Sequence, residues 1–263
     1  MASISRLTVY PVKGLDGVSI DSSEFTAGGT LAMDRSYALF DDDGNVLNGK
    51  RTAKVHHLRT AFDPETASLR VRTRDGSSQQ FDLAEVDGRE SAAAWFSEFF
   101  DETLTVVQKT DTAFVDRPAM GPSVVSTATI RTIASWFQEM TVEGARRRLR
   151  ANVEISGVPP FWEDRFVGSG KPAFEAGGVR FEGITPCGRC IVPERDPDTG
   201  ERIQKFREQF VTEREKRFPE WASEEAFDQY YCAMILTRIP EADRNRRISV
   251  GDSVSVIDEK RTQ

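Results

Sequence analysis

A chain of 263 residues, 38% apolar and 29% charged, is long enough for a sizeable core and falls outside the composition of disordered chains. Its net charge of −7 and pI near 5.1 argue against a duplex-binding protein, though a local basic pocket can still take an anionic small molecule. No run of about 18 apolar residues occurs, so no membrane span is expected, and residues 1–10 lack the apolar stretch of a secretory signal.

Alternating apolar residues predict strands over 4–12, 18–25 and 36–40. Asp42-Asp43-Gly44-Asn45 is a hairpin turn between Leu39-Phe40 and Val46-Leu47. Short strands at 60–62, 68–71 and 80–83, with a turn at Asp75-Gly76, continue the pattern. A helix over 90–100 places Ala94, Phe96 and Phe99-Phe100 on one face, and a strand at 104–107 and a Pro/Gly loop at 116–122 follow. Ser126 is the expected N-cap of a helix over 127–140, with Ile130, Ile133, Ala134 and Phe137 at core spacing. A short helix over 141–149, strands at 153–155, 173–174 and 179–184, a charged helix over 206–218 and closing strands at 230–239 and 253–257 complete the chain. Strands interrupted by occasional helices predict an α+β, mainly β fold, not a doubly wound parallel sheet. Residues 1–85 are expected to form a β-barrel or sandwich domain, 86–122 a connecting helix, strand and loop, and 123–263 a second β-rich domain.

The three cysteines, Cys187, Cys190 and Cys232, are too few for a disulfide framework and point to a reducing, cytoplasmic setting. The pair in Cys187-Gly188-Arg189-Cys190 has several readings: half a zinc site, a redox pair, or two buried apolar residues. Zinc would need further ligands, and Cys232, His56 and His57 stand at no zinc-like spacing. A redox CxxC opens a helix, whereas a β-like run is expected after Cys190. Arg189 shifts the balance toward function, because a cation beside a thiol favours the thiolate and a guanidinium also binds phosphate oxygens. Glu163 and Asp164 are the best carboxylate pair, as a proton relay or, more simply, as a loop brace through backbone N–H groups. His56 and His57 default to surface or packing roles, Cys232 to the core, and Asp196 to Gly200 to a hairpin turn.

Five motifs stand in order: Val9-Tyr10-Pro11-Val12-Lys13-Gly14, Asp34-Arg35, Arg150-Ala151-Asn152-Val153, Pro160-Phe161-Trp162-Glu163-Asp164, and Cys187-Gly188-Arg189-Cys190 with Asp196-Pro197-Asp198-Thr199-Gly200. Together with Ile248-Ser249-Val250-Gly251-Asp252-Ser253-Val254, this order resembles the MOSC-domain family over nearly the whole chain. The branch it is most similar to contains the mitochondrial amidoxime reducing component and its bacterial relatives. The resemblance implies an N-terminal MOSC-associated β-barrel domain packed on a MOSC β-barrel domain. It implies a molybdenum-molybdopterin cofactor, with Cys190 at the position of the metal-ligating, catalytic thiolate. It places Lys13 and Arg35 where cations grip the cofactor phosphate and pterin, and Arg150 and Asn152 where an Arg-x-Asn pair hydrogen-bonds the pterin. Arg189 is the neighbouring phosphate donor. Gly14 and Gly188 stand where relatives carry Ser, leaving backbone contacts, and Arg117-Pro118-Ala119-Met120-Gly121 departs from the family's polar loop. The implied activity is reduction of N-hydroxylated compounds such as amidoximes, hydroxylamines or N-hydroxy bases. Electrons would come from a separate electron-transfer protein, a flavin reductase with a ferredoxin or cytochrome. The alternatives are a cofactor carrier without turnover and a persulfide sulfurtransferase using Cys190.

Overall fold

The computed structural model describes residues 1–117 and 120–257. Strand β1 (Ser3–Val9) buries Ile4, Leu7 and Val9. The three-residue step from Ile4 to Leu7 is allowed by a bulge between Ile4 and Arg6, which resets the alternation of faces. β2 (Val18–Ile20) pairs antiparallel with β1, and β3 (Ser22–Glu24) follows. β4 (Tyr37–Phe40) ends in the expected hairpin, in which Phe40 bridges Val46 and Leu47 N donates to Leu39 O at 2.8 Å.

β5 (Leu58–Asp63), β6 (Ser68–Thr73) and β7 (Ser78–Asp82) form an antiparallel sheet. Helix α1 (Val86–Phe100) lays Ala92, Phe96 and Phe100 into the same core as Phe62, Leu69 and Phe81. β8 (Thr105–Gln108) pairs with β4.

The remaining elements are β9 (Ser123–Ser126), α2 (Thr127–Ser135), α3 (Val142–Leu149), β10 (Val153–Ser156), β11 (Ala173–Ala176), β12 (Val179–Gly188), α4 (Phe206–Lys216), β13 (Cys232–Arg238), β14 (Arg247–Ser249) and β15 (Val254–Ile257). Eight strands form one sheet in the order β15-β11-β12-β13-β9-β10-β1-β2. The β9–β10 pair is parallel, which demands a crossover, and α2 and α3 supply it. One sheet face carries Leu7, Val124, Ile155, Phe174, Phe181 and Ile235; another core packs Ile130, Leu149, Phe206 and Phe210 from the helices with Phe137 from the turn after α2.

The fold is mainly β with four α-helices among the described residues. The sheets are open where closed barrels were expected, although a Ser3–Ser253 bridge and the bond from Val254 N to Ala2 O (2.9 Å) draw the two sides of the large sheet together. Because β1 and β2 join β9–β13, the first strands of the chain sit with its second half.

Three local expectations change. Helix α2 stops at Ser135 and not at 140, because Trp136 N and Phe137 N turn to carbonyls three residues back. That tighter turn stacks Phe137 on Phe206 at 4.4 Å and sets Trp136 edge-on to Phe210 at 5.1 Å. β12 runs on to Gly188, past the expected end at 184. After Cys190 the chain makes a 3-10 turn, Val192–Glu194, where a β-like run was expected, with Pro193 in its first turn.

Candidate functional site

A cavity of about 280 Å³ lies where the first half of the chain meets the large sheet, and Lys13, Gly14, Arg35, Arg150, Asn152, Gly188, Arg189 and Cys190 all line it. Its wall holds eight Lys or Arg side chains (Lys13, Arg35, Lys50, Arg59, Arg117, Arg147, Arg150 and Arg189) against three carboxylates (Asp16, Asp34 and Asp116). This surplus of positive charge sits in a chain of net charge −7, so it is a local construction and not a reflection of composition.

Each cation is delivered by a distinct backbone device. Beyond β1, Val12 bridges Tyr37 and Lys13 N donates to Tyr37 O at 2.8 Å, which fixes the turn. Gly14 follows at φ +95°, and a Cβ there would stand 3.2 Å from Asn48 Cα. Both features favour glycine at this turn. Lys13 Nζ lies 2.7 Å from Asp116 Oδ1, so this lysine is already paired.

Arg35 pairs with the buried Asp34, which also accepts from Tyr10 N at 2.9 Å. Burial opposes the Arg35 charge, but Asp34 outweighs it and the guanidinium pKa rises. Arg150 caps the C-terminus of α3 and lies 4.1 Å over the Tyr10 ring. Its guanidinium makes no ion pair or hydrogen bond among the described residues. Burial, with Arg35 nearby, lowers its pKa, the mark of an uncompensated cation.

Asn152 is a brace more than a free donor. Its Oδ1 accepts from Ser123 N (3.2 Å), Ser123 Oγ (3.0 Å) and Arg35 Nη1 (3.4 Å), and its Nδ2 donates to Thr8 O at 3.1 Å. Arg35, Arg150 and Met234 on the cavity wall adopt φ of +51°, +59° and +62°, a left-handed region that costs side-chain-bearing residues about 1 kcal/mol or more each.

The cysteines emerge where the β12–β13 ladder shifts register between Pro186 and Gly188. Arg189 N still bonds Tyr231 O at 2.9 Å, after which Cys190 leaves the ladder with its carbonyl held by Tyr231 OH at 3.2 Å. Both cavity cysteines are free thiols. Arg189 Nη1 approaches the Cys187 sulfur at 3.2 Å, and Nη2 donates to Leu149 O at 3.0 Å. The cation of the motif thus rests on the first thiol and leaves the second without a hydrogen-bond partner among the described residues.

Sequence reasoning missed His56, Lys50, Arg59, Arg147 and Asp116. His56 sits in the cavity wall, packed close to Gly49 and Gly200. Burial first, and then Arg195, Arg150 and Arg59, push its pKa down to about 4, so the imidazole is neutral at pH 7. Arg59 and Arg147 both pair with Asp198 of the turn after Cys190, which ties that turn across the cavity mouth. No motif or compositional signal in the sequence marks these residues, because Lys and Arg (35) are outnumbered by Asp and Glu (42) along the chain.

Glu163 and Asp164 lie outside the cavity lining. Glu163 Oε2 accepts from Ser126 N at 3.2 Å and Asp164 pairs with the buried Arg214, so the pair braces the fold. Asp196 Oδ1 accepts from Asp198 N and Thr199 N, forming the expected turn. Cys232 is core, its thiol pushed up to about 12 by burial. Met120 and Gly121 line the cavity, whereas Pro118 and Ala119 of that loop lie outside the described residues.

No three His, Cys, Asp or Glu side chains converge as a metal cluster among the described residues. A metal at Cys190 would take most of its ligands from an organic partner. The unpartnered guanidinium of Arg150, the buried Nε of Arg189 without a hydrogen bond and the cation surplus form the donor set that a phosphate-bearing organic ligand needs. The residues present therefore fit a thiolate-ligated metal held on an anionic pterin.

The model of the MOSC N-terminal beta barrel domain matches residues 1–103, and that of the MOSC domain matches residues 119–255. Mitochondrial amidoxime reducing component 2 of Bos taurus is 24% identical over 240 residues, covering 76% of this chain and 68% of that protein. The Homo sapiens protein of the same name is 22% identical over 236 residues, with the same coverage. Molybdenum cofactor sulfurase of Oryza sativa subsp. japonica is 24% identical over 258 residues, 80% of this chain but 30% of the relative. With the MOSC match alone spanning more than half of its residues, the chain belongs to the MOSC domain family.

Proposed function

We propose that this protein is a molybdenum-cofactor-dependent oxidoreductase that reduces N-hydroxylated compounds of the amidoxime and hydroxylamine type. The observation that carries the reading is the Cys190 thiol on the wall of a cavity with a large surplus of cations. Relatives named for amidoxime reduction support it. When bound, molybdenum-molybdopterin supplies the two-electron redox chemistry.

The chain's own residues bind and orient. Cys190, as thiolate, is the metal ligand and the one catalytic protein group. Arg150 and Arg189 offer donors to the anionic tail, with Lys13 and Arg35 beside them, and the Gly14 and Gly188 backbones allow close approach. Asn152 holds Arg35 in place through its Oδ1. Overall, an N–OH group, two electrons and two protons give N–H and water. The electrons come from a separate electron-transfer protein, a flavin reductase with a ferredoxin or a cytochrome. Among the described residues no helix is long and apolar enough to cross a membrane.

The test uses protein purified from a host that makes the cofactor. Wild type should contain molybdenum and pterin, reduce benzamidoxime with a reduced viologen, and lose the metal in Cys190→Ala. Absence of both molybdenum and pterin from wild type defeats the proposal, and full metal content in the variant defeats the ligand assignment. The sulfurase relatives favour a second reading, a cofactor carrier or a persulfide sulfurtransferase using Cys190. Tight cofactor binding without turnover selects the carrier, and sulfur transfer without molybdenum selects the transferase.

A further inference from the structure

Three carboxylates face the cavity, and they are held in different ways. Asp34 is buried and accepts from Tyr10 N. Asp16 Oδ2 accepts from Thr60 N at 2.9 Å. Asp116 has no backbone donor among the described residues; its two oxygens are held only by Lys13 Nζ, at 2.7 Å, and Lys50 Nζ. Its side chain is 57% exposed, and among the described residues the two ammonium groups alone retain it. The three residues come from remote segments: the turn after β1, the loop after the β4 hairpin, and the stretch leading to β9. Both lysine segments are anchored by backbone donors, Lys13 N to Tyr37 O and Lys50 N to Asn48 Oδ1 at 2.9 Å.

We propose that Lys13 and Lys50 form a two-lysine clamp for a phosphate group of the ligand, and that the Asp116 carboxylate occupies this clamp until the ligand displaces it. Lys50 is then a further binding residue, and Asp116 an internal counter-anion. The inference rests on the reading of the cavity as an anion site. Two ammonium groups around one carboxylate leave one positive charge uncompensated, whereas a phosphate dianion neutralises both. The hydrogen bonds and charges of the two lysines override burial and hold the Asp116 carboxyl at about 2, so at neutral pH the exchange is anion for anion and needs no proton.

The test measures calorimetric affinity of the cofactor-free protein for inorganic pyrophosphate at low salt. Asp116→Asn should bind about three- to tenfold more tightly than wild type, because a competing charge is gone, and Lys50→Met should bind more weakly by a similar factor. Both differences should shrink as salt is raised. Unchanged or weaker binding by Asp116→Asn, or unchanged binding by Lys50→Met, overturns the proposal. Asp116→Ser repeats the measurement should the Asn variant fail to fold by circular dichroism. Arg150→Ala separates the two levels. If it weakens binding while the clamp variants change nothing, only this inference fails. If wild type binds no pyrophosphate, or Arg150→Ala binds it as wild type does, the anion-site reading fails and takes the clamp with it.

Discussion

Arg150 couples stability to binding in a way that two substitutions can separate. The residue caps α3 at φ +59°, a conformation that glycine adopts freely and a residue with a Cβ does not. Arg150→Ala and Arg150→Gly both remove the guanidinium from the Tyr10 ring, a contact of about 1 kcal/mol. Only the glycine also relieves the backbone, by about 1 kcal/mol. The Gly variant should therefore melt about 2–4 °C above the Ala variant and close to wild type, since backbone relief offsets the lost ring contact. Both should bind inorganic pyrophosphate at least about tenfold more weakly, because a half-buried cation with no ion pair or hydrogen bond among the described residues is lost. Thermal melts followed by circular dichroism, with calorimetric titration, give both quantities. Equal melting temperatures for the two variants would refute the backbone argument. Wild-type affinity in either would refute the placement of Arg150 in the anion site.

Other perturbations probe the fold around the cavity. Gly14→Ala should destabilise by about 1–2 kcal/mol in urea unfolding, since φ +95° is strained for alanine and its Cβ meets Asn48 Cα at 3.2 Å. Burial, with Asp164 adding to it, raises the Glu163 pKa above its usual 4.5. Its contribution is thus full below about pH 4.5 and lost as pH rises through the folded value. Glu163→Gln keeps an acceptor for Ser126 N and should be more stable than wild type at pH 8 by about 1 kcal/mol or more, with the gain vanishing at pH 4; a pH-independent difference argues against a raised pKa. His56 is shifted the other way, so its contribution is present above pH 6.5 and lost as pH falls toward about 4. His56→Gln should flatten that part of the acid limb, and an imidazole NMR titration of wild type should place the His56 midpoint near 4; a midpoint near 6.5 would contradict its burial among arginines.

Local signals in the sequence predicted local structure well. The Asp42-to-Asn45 turn, the Ser126 cap, with Thr129 N donating to its hydroxyl at 2.9 Å, and the burial of Phe96 and Phe100 all follow from neighbours in the chain. The motif order also named residues that share one cavity. What remained hidden depends on distance along the chain. β9 is four residues long, bounded by Pro122 and by a serine that also caps a helix, so no period shows. Lys13 meets Asp116 across 103 positions, and that pairing changes Lys13 from a free cation to a compensated one. Arg189 is adjacent to Cys190 in sequence, yet its guanidinium turns to Cys187, two residues back and so on the same side of an extended chain. His56 carried no motif; its role as a neutral wall residue arises first from burial and then from arginines brought in at the end of α3 and after Cys190.

The charge arrangement on the cavity wall is graded. Arg35 is fixed by a buried partner, Arg59 and Arg147 by Asp198 at the mouth, Lys13 and Lys50 by the exposed Asp116, and Arg150 by a ring alone. Crowding so many cations into about 280 Å³ is unfavourable unless negative charge enters with them. Partners that are buried and bonded to backbone serve the fold and stay. A partner held only by lysines can be exchanged, and a cation with no anionic partner among the described residues gains most from an incoming anion. Binding strength at this site then depends less on the number of cations than on how weakly each is already compensated. If the cavity binds an anion as proposed, Arg150 and the Lys13–Lys50 pair should contribute most to affinity, while Arg35, though equally charged, should contribute mainly orientation.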